Sequence, residues 1–300
     1  MNAPVKTTRM TPAENRQGVR VEVDAVYLDD IPKAMDKMGW TVSAQLMRRW
    51  FATKPAWVMP QEWRDGEHPS KMPINYTLLP KSQVDEQIVK MAWALNFDQV
   101  KAVRAVLQGS WNSPNGIDVL RTRLKHAGWK TGQTLRLGNK HMSAMQLDLE
   151  SQVNALKLGS AWDTLNDYFG AIFKASLKVA VVGKAYRSLL TGKNLFEVEQ
   201  LGFYIRDTYD FNASWYDDAF MGLGVWSKER VLTKAQMAEY KALSSRTPAS
   251  LMARHLRYPY FVQVENADFR RWQQKRNEGG DFFVFSDVLW EAYRGPAIEL

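Results

Sequence analysis

Two hydrophobic rhythms run along this chain, and they change over near residue 171. In "VRVEVDAVYL" Val19, Val21 and Val23 alternate with Arg20, Glu22 and Asp24. That is the period of a half-buried strand, so 19–28 is predicted as an N-terminal strand. The residues beyond it turn helical. "SQVDEQIVKMAWAL" sets Val84, Ile88, Met91, Ala92 and Leu95 on one face, with Ser82 as its N-cap. "NFDQVKAVRAVLQG" has Asn96 and Gln99 at capping-box spacing and Gly109 as a stop. "SPNGIDVLRTRLKHAG" offers Ser113, Pro114 and Gly128 in the same order, and "SAMQLDLESQVNALKLG" offers Ser143, Gln146 and Gly159.

After residue 171 the period shortens to two. "FKASLKVAVV" places Phe173, Ala175, Leu177, Val179 and Val181 on one side and Lys174, Ser176 and Lys178 on the other. "LGFYIRD", "GLGVW", "YFVQVEN" and "DFFVFSDVLW" are further β-rich runs, with a short helix, "ADFRRWQQKRN", before the last. Strands grouped after helices predict an α+β fold: an N-terminal strand, a central cluster of short capped helices, and a mostly antiparallel C-terminal sheet. A polar tail, 1–18, precedes a single domain, 19–300, with a helical part at 82–170 and a β-rich part at 171–300. "WVMPQEWRDGEHPSKMP" (57–73) reads as a loop. A lone strand cannot hide its Val face, so 19–28 is expected to join the C-terminal sheet.

Composition narrows the chemistry. The chain has 300 residues, 45% of them hydrophobic and 12 of them Trp, which is ample for a packed core. There is no Cys, so disulfides, thiolate catalysis and Cys-based metal sites are excluded. The start, "MNAPVKTTRMTPAENRQG", has no apolar core of a secretory signal. The most apolar segment is interrupted by Lys174, Lys178 and Lys184, so no membrane span is read. The expected location is the cytoplasm of the producing cell, with any delivery into a target cell by a route that reads no cleavable signal.

The net charge of +8 is uneven, with 21 basic against 15 acidic residues in 1–150 and 19 against 17 in 151–300. No acid lies between Asp118 and Asp148, where Arg121, Arg123, Lys125, Lys130, Arg136 and Lys140 occur. Such a run can meet nucleic-acid phosphates or an acidic partner, or it can be a solvated helix face.

Catalytic motifs are mostly ruled out. "GGDF" (279–282) resembles the signature of cyclic-dinucleotide synthases, but its fourth position is Phe282 where a metal-binding carboxylate is needed. The Gly pair then reads as a turn. His68, His126, His141 and His255 never occur with metalloprotease spacing, no Gly-x-Ser-x-Gly elbow is present, and no metal set is read. No cofactor is implied. The densest polar–aromatic cluster is "YIRDTYDFN", with Tyr204, Arg206, Asp207 and Asp210. Asp281 and Asp287 are six residues apart, about 20 Å on a regular strand, and cannot share one metal. A catalytic site would therefore take one acid from each strand, Asp210 with Asp281 or Asp207 with Asp287, with Arg206 or Tyr204 nearby. The alternative is that these acids cap turns.

The motifs "DIPKAMDKMGW", "AQLMRRWF", "IVKMAWALNF", "LKVAVVGK", "GFYIRDTYDFN", "LGVWSKERVLTK" and "GGDFFVFSDVLW" occur in this order over residues 20 to 291. Together they resemble a bacterial family of unknown function, often encoded near type VI secretion spike proteins and phospholipase effectors. "ASWYDDAFM", after Asn212, is longer than the turn usual there. The resemblance implies a role in interbacterial competition and carries over no reaction. Three functions are weighed. The first is a delivered antibacterial effector of unknown chemistry. The second is an adaptor, chaperone or immunity protein that binds an effector or the spike. The third is a nucleic-acid binder working through 119–147.

Overall fold

The computed structural model describes residues 25–64, 75–211, 222–244 and 247–300. The tail 1–18, most of the strand expected at 19–28, the loop from residue 65 to 73 and the segment after Phe211 up to residue 221 lie outside them. The fold is α+β. By contact density the chain forms two compact units interleaved in sequence: Met1–Val58, Thr164–Ala171 and Asp210–Gly280 in the first, and the remainder in the second. No helix among the described residues is long and apolar enough to cross a membrane.

The second unit holds an eight-stranded sheet built on one long hairpin, β4 (Ser176–Arg187) and β5 (Asn194–Tyr209). β1 is Val84–Asp85, β2 Leu135–Leu137 and β3 Gln152–Lys157. β8 is Phe282–Phe285, β9 Leu289–Ala292 and β10 Ile298–Glu299. The free edge of β5 receives β10, β9 and β8 in turn, all antiparallel. β2 and β3 pair antiparallel with β4, and β1 pairs parallel with β8. The C-terminal strands are thus largely antiparallel, as their alternation predicts. The hairpin ladder shifts register between Val182 and Gly183, where a Cβ on Gly183 would lie 2.1 Å from the Glu197 carbonyl oxygen. Only glycine allows so close an approach. Helices Asp98–Ser110 and Pro114–His126 pack on β3, the former also on β4.

Several local expectations change. The described end of the 19–28 stretch is not a strand: Leu28–Asp30 is a 3-10 turn, and the Asp30 carboxylate accepts the Tyr27 N–H. Ser82 does not open a long helix. Val84–Asp85 is β1, and the helix there is only Met91–Ala94. A local turn and a distant cap override the periodicity: Asp85 accepts the Gln87 and Ile88 amides just after it, and Asp287, far along the chain, accepts that of Met91. Ser113 and Ser143 do cap their helices, the latter in a full capping box with Gln146. That second helix stops at Glu150, however, and the chain continues as β3.

The first unit contains helices Ile31–Lys37, Thr41–Ala52, Lys234–Ala242, Pro248–Arg257 and Asn266–Arg276, with a two-stranded ladder of β6 (Val225–Trp226) and β7 (Val262–Gln263). Its core is aromatic, with Trp50 against Phe51, Phe211, Phe269 and Trp272. Asp167 caps the second helix by accepting the Val42 and Ser43 amides.

Candidate functional site

Cross-strand register assembles the most heavily charged cluster in the second unit's interior. Lys178 on β4 lies opposite Tyr204 on β5, and Ser176 lies opposite Arg206. Alternation puts Tyr204 and Arg206 on the same face. Helix Ala144–Glu150 brings Asp148 onto that face, 7% exposed. Its Oδ1 accepts hydrogen bonds from Lys178 Nζ at 2.8 Å and Tyr204 Oη at 2.7 Å. The Arg206 guanidinium is buried and sits 5.2 Å from the centre of the Phe283 ring. Its Nε and Nη2 have no hydrogen-bond partner. Tyr76 meets Phe283 and Phe285 edge-on beside it. Arg123 pins the end of the same helix by donating to the carbonyls of Asp148, Leu149 and Gln152.

The environment fixes the charge states. Burial pulls the Asp148 carboxyl upward, but Lys178 and Arg206 outweigh it and hold the group below the usual carboxylate range. Burial pushes the Lys178 ammonium down, and Asp148 restores only part of the loss. Tyr204 is raised well above its ordinary value by burial and by Asp148. Tyr76 is pushed up to about 12, chiefly by burial. The charges acting on Asp148 are those of Lys178 and Arg206, so one carboxylate serves two cations. The cluster's chemistry is to lock a helix onto the hairpin with charge-assisted hydrogen bonds.

The acids singled out by sequence are distributed differently. Asp207 stands on β5 opposite Val284, on the face away from Tyr204 and Arg206. Asp210 follows the end of β5 and belongs to the first unit. Asp281 is fully buried and accepts the Met59 amide at 2.9 Å. Asp287 accepts the Met91 amide at 2.6 Å, at the edge of a groove of about 310 Å³ that Glu86, Lys90, Ser143 and Trp290 also line. Tyr204 and Arg206 are the two candidates that the structure joins, through Asp148. Among the described residues no three His, Asp or Glu side chains gather to hold a metal.

The basic run is partly spoken for. Arg121 pairs with Asp118, Arg123 is bound to backbone carbonyls, and Arg136 forms a two-pronged pair with Glu199 at 2.9 and 2.7 Å. Lys125, Lys130 and Lys140 are exposed.

A family of unknown function, DUF6402, matches residues 26–298. The chain belongs to this family. No curated protein and no solved structure matches it. The family's description names no reaction and no secretion system, so the association with type VI secretion rests on the motif resemblance.

Two features escaped the sequence reading. Asp148 and Lys178 lie 30 residues apart, and Lys178 sat on the polar side of an alternating strand. The signal that could have exposed the pair is β4 itself, which is apolar on both faces and so predicts cover on both. The second feature is helix Pro248–Arg257, which is inverted. Its inward positions are polar: Arg254 lies over Tyr240 and donates to Ser244 Oγ, and Tyr258, just past the end, donates to Glu239 at 2.6 Å. Its outward positions include the apolar Met252 at 50% and Leu256 at 74% exposure beside the exposed His255 and Arg257, and no residue of the helix is buried.

Proposed function

We propose that this family member works by binding rather than by acid-pair catalysis, as an accessory of type VI secretion that docks on an effector or spike. Helix Pro248–Arg257 carries the reading. Met252 and Leu256 are spaced i, i+4, the register in which an amphipathic helix fills a partner's groove, and Leu251 and Tyr260 extend the surface. The helix is anchored by its polar side, so this apolar stripe is not needed for the unit's own core. The roles of Asp281 and Asp287 in holding backbone amides support the same reading, since carboxylates engaged in this way serve architecture.

The test is co-expression with type VI spike and effector proteins of the kind encoded near members of the family it resembles, followed by size-exclusion chromatography. A co-eluting complex that Met252→Asp or Leu256→Asp weakens by about 2 kcal/mol or more, at unchanged thermal midpoint, is the expected result. A complex indifferent to both substitutions would remove this helix as the docking element.

The delivered effector is the second reading, supported by the motif resemblance and by a cysteine-free chain that folds alike in oxidising and reducing compartments. Growth arrest on expression in a naive bacterium, with cytoplasmic and periplasmic targeting compared, favours it. No arrest in either compartment, together with the complex above, favours the accessory.

A further inference from the structure

The tip of the β4–β5 hairpin breaks the usual rule for apolar side chains. Leu189 and Leu190 are 100% and 99% exposed, and they are adjacent. The turn beneath them is well ordered. Ser188 and Gly192 close it with backbone bonds of 2.8 Å, Ser188 Oγ accepts the Thr191 amide, and Gly192 takes the positive φ the reversal requires. Ordered display of two leucines implies a surface that receives them.

Basic side chains surround that point. Arg187 and Lys193 flank the turn. Asn194, the first residue of β5, accepts the Gly132 amide through Oδ1, which brings in the loop that carries Lys130. Lys193 pairs with Glu299, whose carbonyl also accepts from Arg121, so the last turn of helix Pro114–His126, with Lys125, belongs to the same end of the unit. Five exposed cations therefore lie toward this end, and two of them are paired, Arg121 with Asp118 and Lys193 with Glu299. Part of the basic run read from sequence thus stands beside the two most exposed leucines of the chain.

We infer that this hairpin tip is a docking point for an anionic lipid bilayer, with Leu189 and Leu190 entering the headgroup–acyl boundary and the cations meeting lipid phosphates. A specific protein interface needs about 800 Å² per partner, more than two adjacent side chains on a convex turn supply. A bilayer deforms around a point, takes apolar side chains individually and rewards each nearby cation. The binding is peripheral and reversible. It uses residues other than those of helix Pro248–Arg257 and does not depend on the accessory reading.

The test is sedimentation of the full chain with vesicles of phosphatidylcholine alone or mixed with phosphatidylglycerol. The wild-type chain should partition about tenfold or more in favour of the anionic vesicles and weaken as salt rises. Leu189→Ser/Leu190→Ser should lower that partition about tenfold, and Lys130→Glu/Arg187→Glu should erase the preference for anionic lipid. Leu189→Cys, the single thiol in an otherwise cysteine-free chain, labelled with an environment-sensitive dye should shift its emission to the blue only on anionic vesicles. Equal partition of the wild type and the serine variant, or no binding to either vesicle, would overturn the inference. So would loss of a protein complex in the serine variant without any vesicle binding, which would assign the tip to a protein partner.

Discussion

The β4–β5 hairpin has two ends of opposite character. Near its open end, Tyr204 and Arg206 are buried with Asp148, and the half-buried Lys178 completes a charged cluster. At its turn, Leu189 and Leu190 stand fully in solvent. The strands are the same and pair along nearly their whole length, with one register shift at Val182 and Gly183, so strand propensity cannot explain the contrast. Cover explains it. The open end lies beneath helix Ala144–Glu150 and against the Phe283 ring, and ionised groups taken out of water there must find partners. The turn projects beyond the ladder, where leucine finds no apolar neighbour. Buried charge in this hairpin holds a helix in place, whereas the displayed leucines contribute nothing to the fold and are left for the contact proposed above.

The largest expected effect comes from splitting the buried cluster. Asp148→Ala leaves Lys178 and Arg206 without their counter-charge and should cost about 3–5 kcal/mol in a urea titration. The pH dependence should change with it. The folded carboxyl lies below its unfolded value of about 3.9, so its stabilisation is fully present above that pH and is lost as pH falls through the lower folded value. The alanine variant should lack that limb of the stability profile. Replacing the pair together, Asp148→Leu with Lys178→Met, should recover only the part of the loss due to Lys178, because Arg206 stays buried without its counter-charge. No recovery at all would show that Lys178 contributes nothing to that cost.

Removing a single buried acceptor should do less. Asp281→Ala orphans the Met59 amide and should cost about 1–3 kcal/mol, read as a shift in the urea midpoint at constant slope. A variant that kept its stability while a measured activity vanished would reinstate Asp281 as a catalytic candidate. The smallest effect belongs to the other end of the hairpin. Leu189→Ser/Leu190→Ser should change stability by no more than about 0.5 kcal/mol, since neither side chain packs on the fold. A larger loss would mean that the leucines are part of the core after all.

The same contrast marks what could be read from sequence. The strands after residue 171 were legible because alternation and flanking turn residues act locally, and β4, β5, β8 and β9 fall where those signals lie. The caps at Ser113 and Ser143 were legible for the same reason. Ser82 misled because Asp287, 205 residues away, sets where the following helix begins. Tyr204 and Arg206 were flagged within a dense polar cluster, yet their partner Asp148 comes from a helix far upstream. Arg136 looked free for phosphate because Glu199, its partner, lies 63 residues further on. Each miss is a pairing between distant residues, which local periodicity does not encode.

The account's central claim is that the outward apolar positions are there for partners and not for the fold. Leu256→Asp tests it most directly when stability and association are measured on the same sample. The account predicts a thermal midpoint within a few degrees of wild type, because Leu256 is 74% exposed, together with loss of the complex proposed with a spike or effector protein. A lowered midpoint with the complex intact would contradict it.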